Sequence, residues 1–131
     1  MKSELITNRS RAKQLMAFDG LQYGACRPTD VDLSMDFQGR TFVFGELKGG
    51  NVGLTLGQKI HLEGLVKAIR AGGKVAYAFL ANHDTEDTTH DVKVSTARVN
   101  KVYNGMLWYT PEQETVDELL TAIHKEHQDA N

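Results

Sequence analysis

The sequence predicts a single α/β domain: a mixed central sheet with helices packed against it. Three stretches carry that expectation. Residues 31–37 alternate Val31, Leu33, Met35 and Phe37 with Asp32, Ser34 and Asp36, and Thr41 to Phe44 is a β-branched and aromatic run, so the two read as a hairpin turning at Gln38-Gly39-Arg40. Thr55-Leu56-Gly57-Gln58 has the pattern of a capping box, and Leu62, Leu65, Val66 and Ile69 then follow at helical spacing up to Ala71-Gly72-Gly73. Lys74 to Ala81, KVAYAFLA, is apolar almost throughout, as a central strand is. Strand, helix and strand in that order make a crossover, so the third strand is expected parallel to the second.

The remaining elements follow along the chain. Residues 3–17 predict a first helix, with Leu5, Ala12, Leu15 and Met16 on its inner face and Ser3 or Asn8 as caps. Gly20 and Gly24 keep the stretch from Phe18 to Arg27 irregular. After the third strand, residues 83–91 (HDTEDTTHD) read as a solvated loop with no recognised metal-ligand spacing, and Lys93 to Val102 offer another strand. Asn104-Gly105 gives the signal of a type I′ hairpin returning through Met106 to Tyr109. Thr110-Pro111-Glu112-Gln113 reads as a second capping box with proline at the first helical position, opening a helix that turns Val116, Leu119, Leu120 and Ile123 inward.

The second strand leaves its apolar run through Glu46-Leu47-Lys48. Alternation places Glu46 and Lys48 on one face. With a connection of odd length, Phe37 faces Thr41 and Asp32 falls opposite Glu46; a two-residue loop would set Asp32 against Gly45, on the other face. Two neighbouring carboxylates repel unless a cation lies between them, and hard oxygen donors suit Mg²⁺ or Mn²⁺. A lysine beside them can orient or deprotonate water and offset developing negative charge. These are the parts needed to hydrolyse a phosphodiester, although a surface strand ending in a Glu-Lys pair has the same composition. Gln58 points inward at the helix end nearest these residues, where it either places water or lysine or serves as the cap. The glycines at 49, 50, 53 and 57 lack the Lys-Ser/Thr of a phosphate-binding loop.

Asp32, Glu46 and Lys48 at this spacing resemble the PD-(D/E)xK nuclease signature. Within that superfamily, residues 27–79 are most similar to VRR-NUC domains, which also occur as small phage proteins related to Holliday-junction resolvases. The similarity runs through Pro28-Thr29-Asp30-Val31-Asp32, Gly45 to Gly50 and Leu54-Thr55-Leu56-Gly57-Gln58. Thr29 separates Pro28 from the first aspartate, so Asp30 and Asp32 compete for one metal-binding role, and the spacing to Glu46 favours Asp32. The resemblance implies a restriction-endonuclease-like sheet and a Mg²⁺- or Mn²⁺-dependent nuclease acting on DNA, with a branched or junction substrate and a homodimer. It implies that Asp32, Glu46 and the backbone carbonyl of Leu47 hold the metal, that Lys48 prepares the water and that Gln58 helps to place it. Relatives often add an acid from the first helix, and Glu4 is the acid present there.

At 131 residues, 40% hydrophobic and 24% charged, the composition is that of an ordinary single domain. No apolar run approaches a membrane span and the first residues are too polar for a signal peptide, so the cytoplasm (of a bacterial host, on the phage resemblance) is the expected compartment. Cys26 is the single cysteine, which excludes an intrachain disulfide and a thiolate metal site. The net charge of −2 argues against a general nucleic-acid binder, but it is unevenly spread. Residues 1–29 carry Lys2, Arg9, Arg11, Lys13 and Arg27 against Glu4 and Asp19, whereas residues 82–131 carry four basic and ten acidic residues. Arg9, Arg11, Lys13 and Arg27 are therefore the candidate phosphate contacts. Two other readings stay open: a catalytically inactive nuclease-fold protein that binds DNA or a protein partner, and a small-molecule hydrolase using the same acids.

Overall fold

Gln38 and Gly39 close the first strand pair. Both sit at positive φ, 61° and 71°, and the Arg40 amide donates across them to the Phe37 carbonyl at 3.2 Å. A tight turn of this hand suits the twist of the strands it joins. The structure is a computed structural model that describes residues 19–26, 28–85 and 90–128. The expected first helix, with Glu4, Arg9, Arg11 and Lys13, lies outside the described residues, as does Arg27. Strand β1 (Leu33–Phe37) pairs antiparallel with β2 (Thr41–Gly49), Phe37 opposite Thr41 and Leu33 opposite Gly45. The connection thus has the odd parity expected from the sequence.

Helix α1 (Leu56–Ala71) begins at the predicted capping box. The Thr55 side chain accepts from the Gln58 amide, the Gln58 side chain accepts from the Thr55 amide, and the helix stops at Gly72. Strand β3 (Val75–His83) then runs parallel to β2, in register from Thr41–Val75 to Gly49–His83. The order β1-β2-β3-β4-β5 puts this apolar strand at the centre of a five-stranded mixed sheet.

Two segments differ from the expectation. Residues 94–96 form a 3-10 turn, so β4 starts only at Arg98 and runs to Tyr103. The return strand β5 is short (Trp108–Tyr109), and Tyr103 opposite Trp108 leaves a four-residue connection rather than a two-residue type I′ turn. There the Asn104 carboxamide oxygen accepts from the Met106 and Leu107 amides at 2.9 and 3.1 Å, a local side-chain turn that competes with the tighter hairpin. The last helix, α2 (Val116–His127), is capped by Thr115 and Glu118 rather than by Thr110 and Gln113. The reason is non-local: Val99 N donates to the Glu114 carbonyl and Val116 N to the Ala97 carbonyl, which holds the chain extended beside β4 until residue 115.

The two helices cover opposite faces. Under α1, Leu62 and Val66 pack on Ala76, Ala78 and Tyr103, with Phe42 and Phe44 beside them. Under α2, Val116, Leu119 and Ile123 pack on Val43, Phe79, Ala81, Val99 and Val102. Gly45 lies on the α2 face, opposite Phe79 in the parallel ladder. A β-carbon at Gly45 would overlap the fully buried Phe79 ring, whereas one at Gly53 would meet nothing. Gly45→Ala is therefore expected to destabilise the fold by about 2–3 kcal/mol, a typical overpacking cost, and Gly53→Ala by less than about 0.5 kcal/mol. Urea midpoints of the two variants, read at constant slope, check this.

Candidate active site

The ladder of β1 and β2 ends at Leu33–Gly45, and one further step in the same register sets Asp32 against Glu46. In place of another backbone bond, the Asp32 carboxylate accepts from the Leu47 amide at 2.8 Å. Amide and carbonyl of one strand residue point to the same neighbour, so the Leu47 carbonyl also faces the side where Asp32 sits. Glu46 and Lys48 share the α1 face with Asp32, as alternation along β2 requires.

Glu46 is only 3% exposed and is the one buried charged residue among those described. Its carboxyl is pushed up from 4.5 to about 7, first by burial and then by Asp32, through both charge and a side-chain hydrogen bond. Lys48 acts in the opposite direction, and Asp30 adds a smaller upward push. Gln58 completes the group, donating from Nε2 to Glu46 Oε1 at 3.3 Å. The same carboxamide closes the helix cap through its oxygen. The two roles open for Gln58 in the sequence are thus compatible: one end caps α1 and the other touches Glu46.

Asp32, Glu46, Lys48 and Gln58 come together as the sequence suggests. Asp30 is exposed and acts on Glu46 through its charge. Among the described residues no three His, Cys, Asp or Glu side chains gather as a metal-binding group, so the carboxylate set is the pair Asp32 and Glu46. That pair suits a hard divalent cation. Its oxygens are the preferred donors, and a cation would offset both the burial and the Asp32 charge that raise the Glu46 carboxyl. A cleft of about 610 Å³ lined by Asp19, Leu21, Gln22, Pro28, Thr29 and Gly57 opens alongside, Thr29 preceding Asp30 and Gly57 preceding Gln58.

Two polar residues near the site were not singled out in the sequence. Asn82, 3% exposed, lies opposite Lys48 and donates to the carbonyls of Val52 at 3.0 Å and Lys48 at 3.5 Å. Its own oxygen accepts from Asn100 Nδ2 at 3.1 Å. Asn82 therefore ties the glycine-rich loop after Lys48 to the sheet. The signal was present: an amide following the apolar run of β3 needs buried partners. Among the described residues, no helix is long and apolar enough to cross a membrane.

The raised Glu46 carboxyl has a consequence for stability. Between about 4.5 and 7 the folded protein holds a proton that the unfolded chain has lost, so folding is favoured at the acid end of that window. Stability of the metal-free protein should fall as pH rises from 4.5 to 7, by on the order of 2–3 kcal/mol, and level off above. Glu46→Gln should flatten this slope, which thermal melts across the same range would measure. Comparison with protein-family models, with curated proteins and with solved structures finds no match to this chain.

Proposed function

We propose that the chain is a divalent-metal-dependent nuclease that hydrolyses phosphodiester bonds in DNA, on a restriction-endonuclease-like PD-(D/E)xK sheet. The observation that carries this reading is the side-by-side pair Asp32 and Glu46, with Lys48 on the same face and Gln58 bonded to Glu46. Asp32, Glu46 and the Leu47 carbonyl would hold Mg²⁺ or Mn²⁺, which when bound neutralises the two acids and withdraws charge from a phosphoryl oxygen. Lys48 orients the attacking water and balances the negative charge that grows on the phosphate. Gln58, fixed at its far end by the helix cap, holds Glu46 in one rotamer and presents its amide to the incoming water. The Asp32 carboxylate is oriented by the Leu47 amide and the Glu46 carboxyl by the Gln58 side chain.

The resemblance noted in the sequence makes branched or junction DNA the substrate of choice and a homodimer the working form, since resolving a junction takes two paired cuts. A decisive assay is cleavage of labelled four-way junction, flap, linear duplex and single-stranded DNA with Mg²⁺ or Mn²⁺. Lys48→Ala and Glu46→Gln should each lower the rate about 100-fold or more. Mn²⁺ should also raise the melting temperature of the wild-type chain and not of Glu46→Ala. If no substrate is cut and metal leaves the melting temperature unchanged, the catalytic reading is wrong and a binding role on this fold takes its place.

A further inference from the structure

The register of β4 carries a feature that extends the site. Leu80 faces Lys101, but the next residue of β3, Ala81, faces Val99, so Asn100 is an extra residue in β4. In an unbroken ladder Val99 would lie opposite Asn82 on the α1 face and Arg98 would turn to the α2 face. The bulge reverses this. Val99 enters the core under α2, while Arg98 stands opposite Asn82 on the face that holds Glu46 and Lys48. Bulges re-aim side chains in this way beside functional sites.

The sheet consequently presents two parallel rows on that face. One runs Asp32, Glu46, Leu80, Lys101, and the other Lys48, Asn82, Arg98. Two strand spacings separate β2 from β4, roughly 10 Å. That distance lies beyond the scissile phosphate and within reach of another phosphate of the same bound nucleic acid. Arg98 and Lys101 are exposed. Lys101 Nζ donates to Thr110 Oγ1 at 3.0 Å, which keeps its ammonium beside the sheet edge. The Arg98 guanidinium has no hydrogen-bond or ion-pair partner among the described residues, and it borders an open cleft of about 380 Å³ with Asn82, His83, Lys93 and the acids Asp84 and Asp91. The contact from Asn100 to Asn82, and from Asn82 to the Lys48 carbonyl, fixes the bulge to the strand that carries the acids.

We infer that Arg98 and Lys101 form a phosphate-binding stripe that holds the DNA backbone away from the point of cleavage, with Asn100 as the bulged residue that brings Arg98 onto the face of Lys101. This inference rests on the nuclease reading above and adds the strand path to it. The stripe runs from Lys48 across β3 to β4. It needs no basic segment elsewhere in the chain.

The test compares the full-length chain with Arg98→Ala/Lys101→Ala, with the charge-preserving exchange Arg98→Lys/Lys101→Arg, and with Lys67→Ala/Lys125→Ala as a control of equal charge loss. Fluorescence anisotropy of labelled duplex and four-way junction DNA is measured over a range of salt, beside cleavage rates and melting temperatures. The inference expects the alanine pair to weaken binding about tenfold and to reduce the salt slope by about two, one phosphate contact per residue. KM should rise with kcat little changed, the charge-preserving pair should behave as wild type, and melting temperatures should not move. If wild type binds and cuts DNA and the alanine pair differs no more than the control, the stripe is refuted and the nuclease reading stands. If wild type neither binds nor cuts DNA, both are refuted.

Discussion

The candidate site depends on one constraint, the burial of Glu46 beside Asp32. A carboxylate in the interior is costly unless it is protonated, hydrogen-bonded or neutralised by a cation. Here Asp32 denies it the easy solution of standing alone, Gln58 gives it one donor, and Lys48 supplies an opposite charge nearby. The protein tolerates the remaining cost because the backbone leaves no alternative. β2 is flanked on both sides by paired strands, and on the opposite face the Phe79 ring lies directly over Gly45. Glu46 cannot rotate the strand to reach solvent without breaking that packing.

The same economy of parts appears at the start of α1. A capping box needs a glutamine or glutamate at its third helical position. Glutamine there can accept from Thr55 with its oxygen and still donate with its nitrogen, which glutamate at neutral pH cannot do. The Glu46 contact therefore favours Gln58 over the acid that would serve equally well as a cap, and it links the position of α1 to the rotamer of a candidate metal ligand. Helix stability and site geometry are coupled through one side chain.

Much of this was legible in the sequence because it is local or set by parity. The Gln38–Arg40 turn and the alternation of residues 31–37 together decide which face Asp32 shares, and a one-residue slip would have exposed Leu33, Met35 and Phe37. The Thr55 cap and the apolar stripe of α1 are likewise contained in about four turns of helix. The second capping box shows where local reading stops. Thr110-x-x-Gln113 and Thr115-x-x-Glu118 carry equivalent signals. The choice between them is made by two hydrogen bonds, Val99 N donating to the Glu114 carbonyl and Val116 N to the Ala97 carbonyl, between partners far apart in the chain. Nothing near residue 110 reports that pairing.

Charge gives the sharper example. Summed along the chain, the basic excess falls in residues 1–29, and the last fifty residues look unfavourable for a polyanion. Folding rearranges that sum. The acids of the closing helix, Asp117 and Glu118, belong to the element on the α2 face, while Arg98 and Lys101 from the same acidic half are brought to the face of Glu46. A hint of the bulge was present in the strand itself: Val99 and Val102 are three apart, and two side chains at that spacing reach one core only if the strand carries an odd extra residue. Arg98-Val99-Asn100-Lys101-Val102 is thus a strand with one amide inserted, which turns Arg98 to the face that Lys101 already shares with Glu46. The local field that a phosphate would meet is set by that register, and the net charge of the chain says little about it.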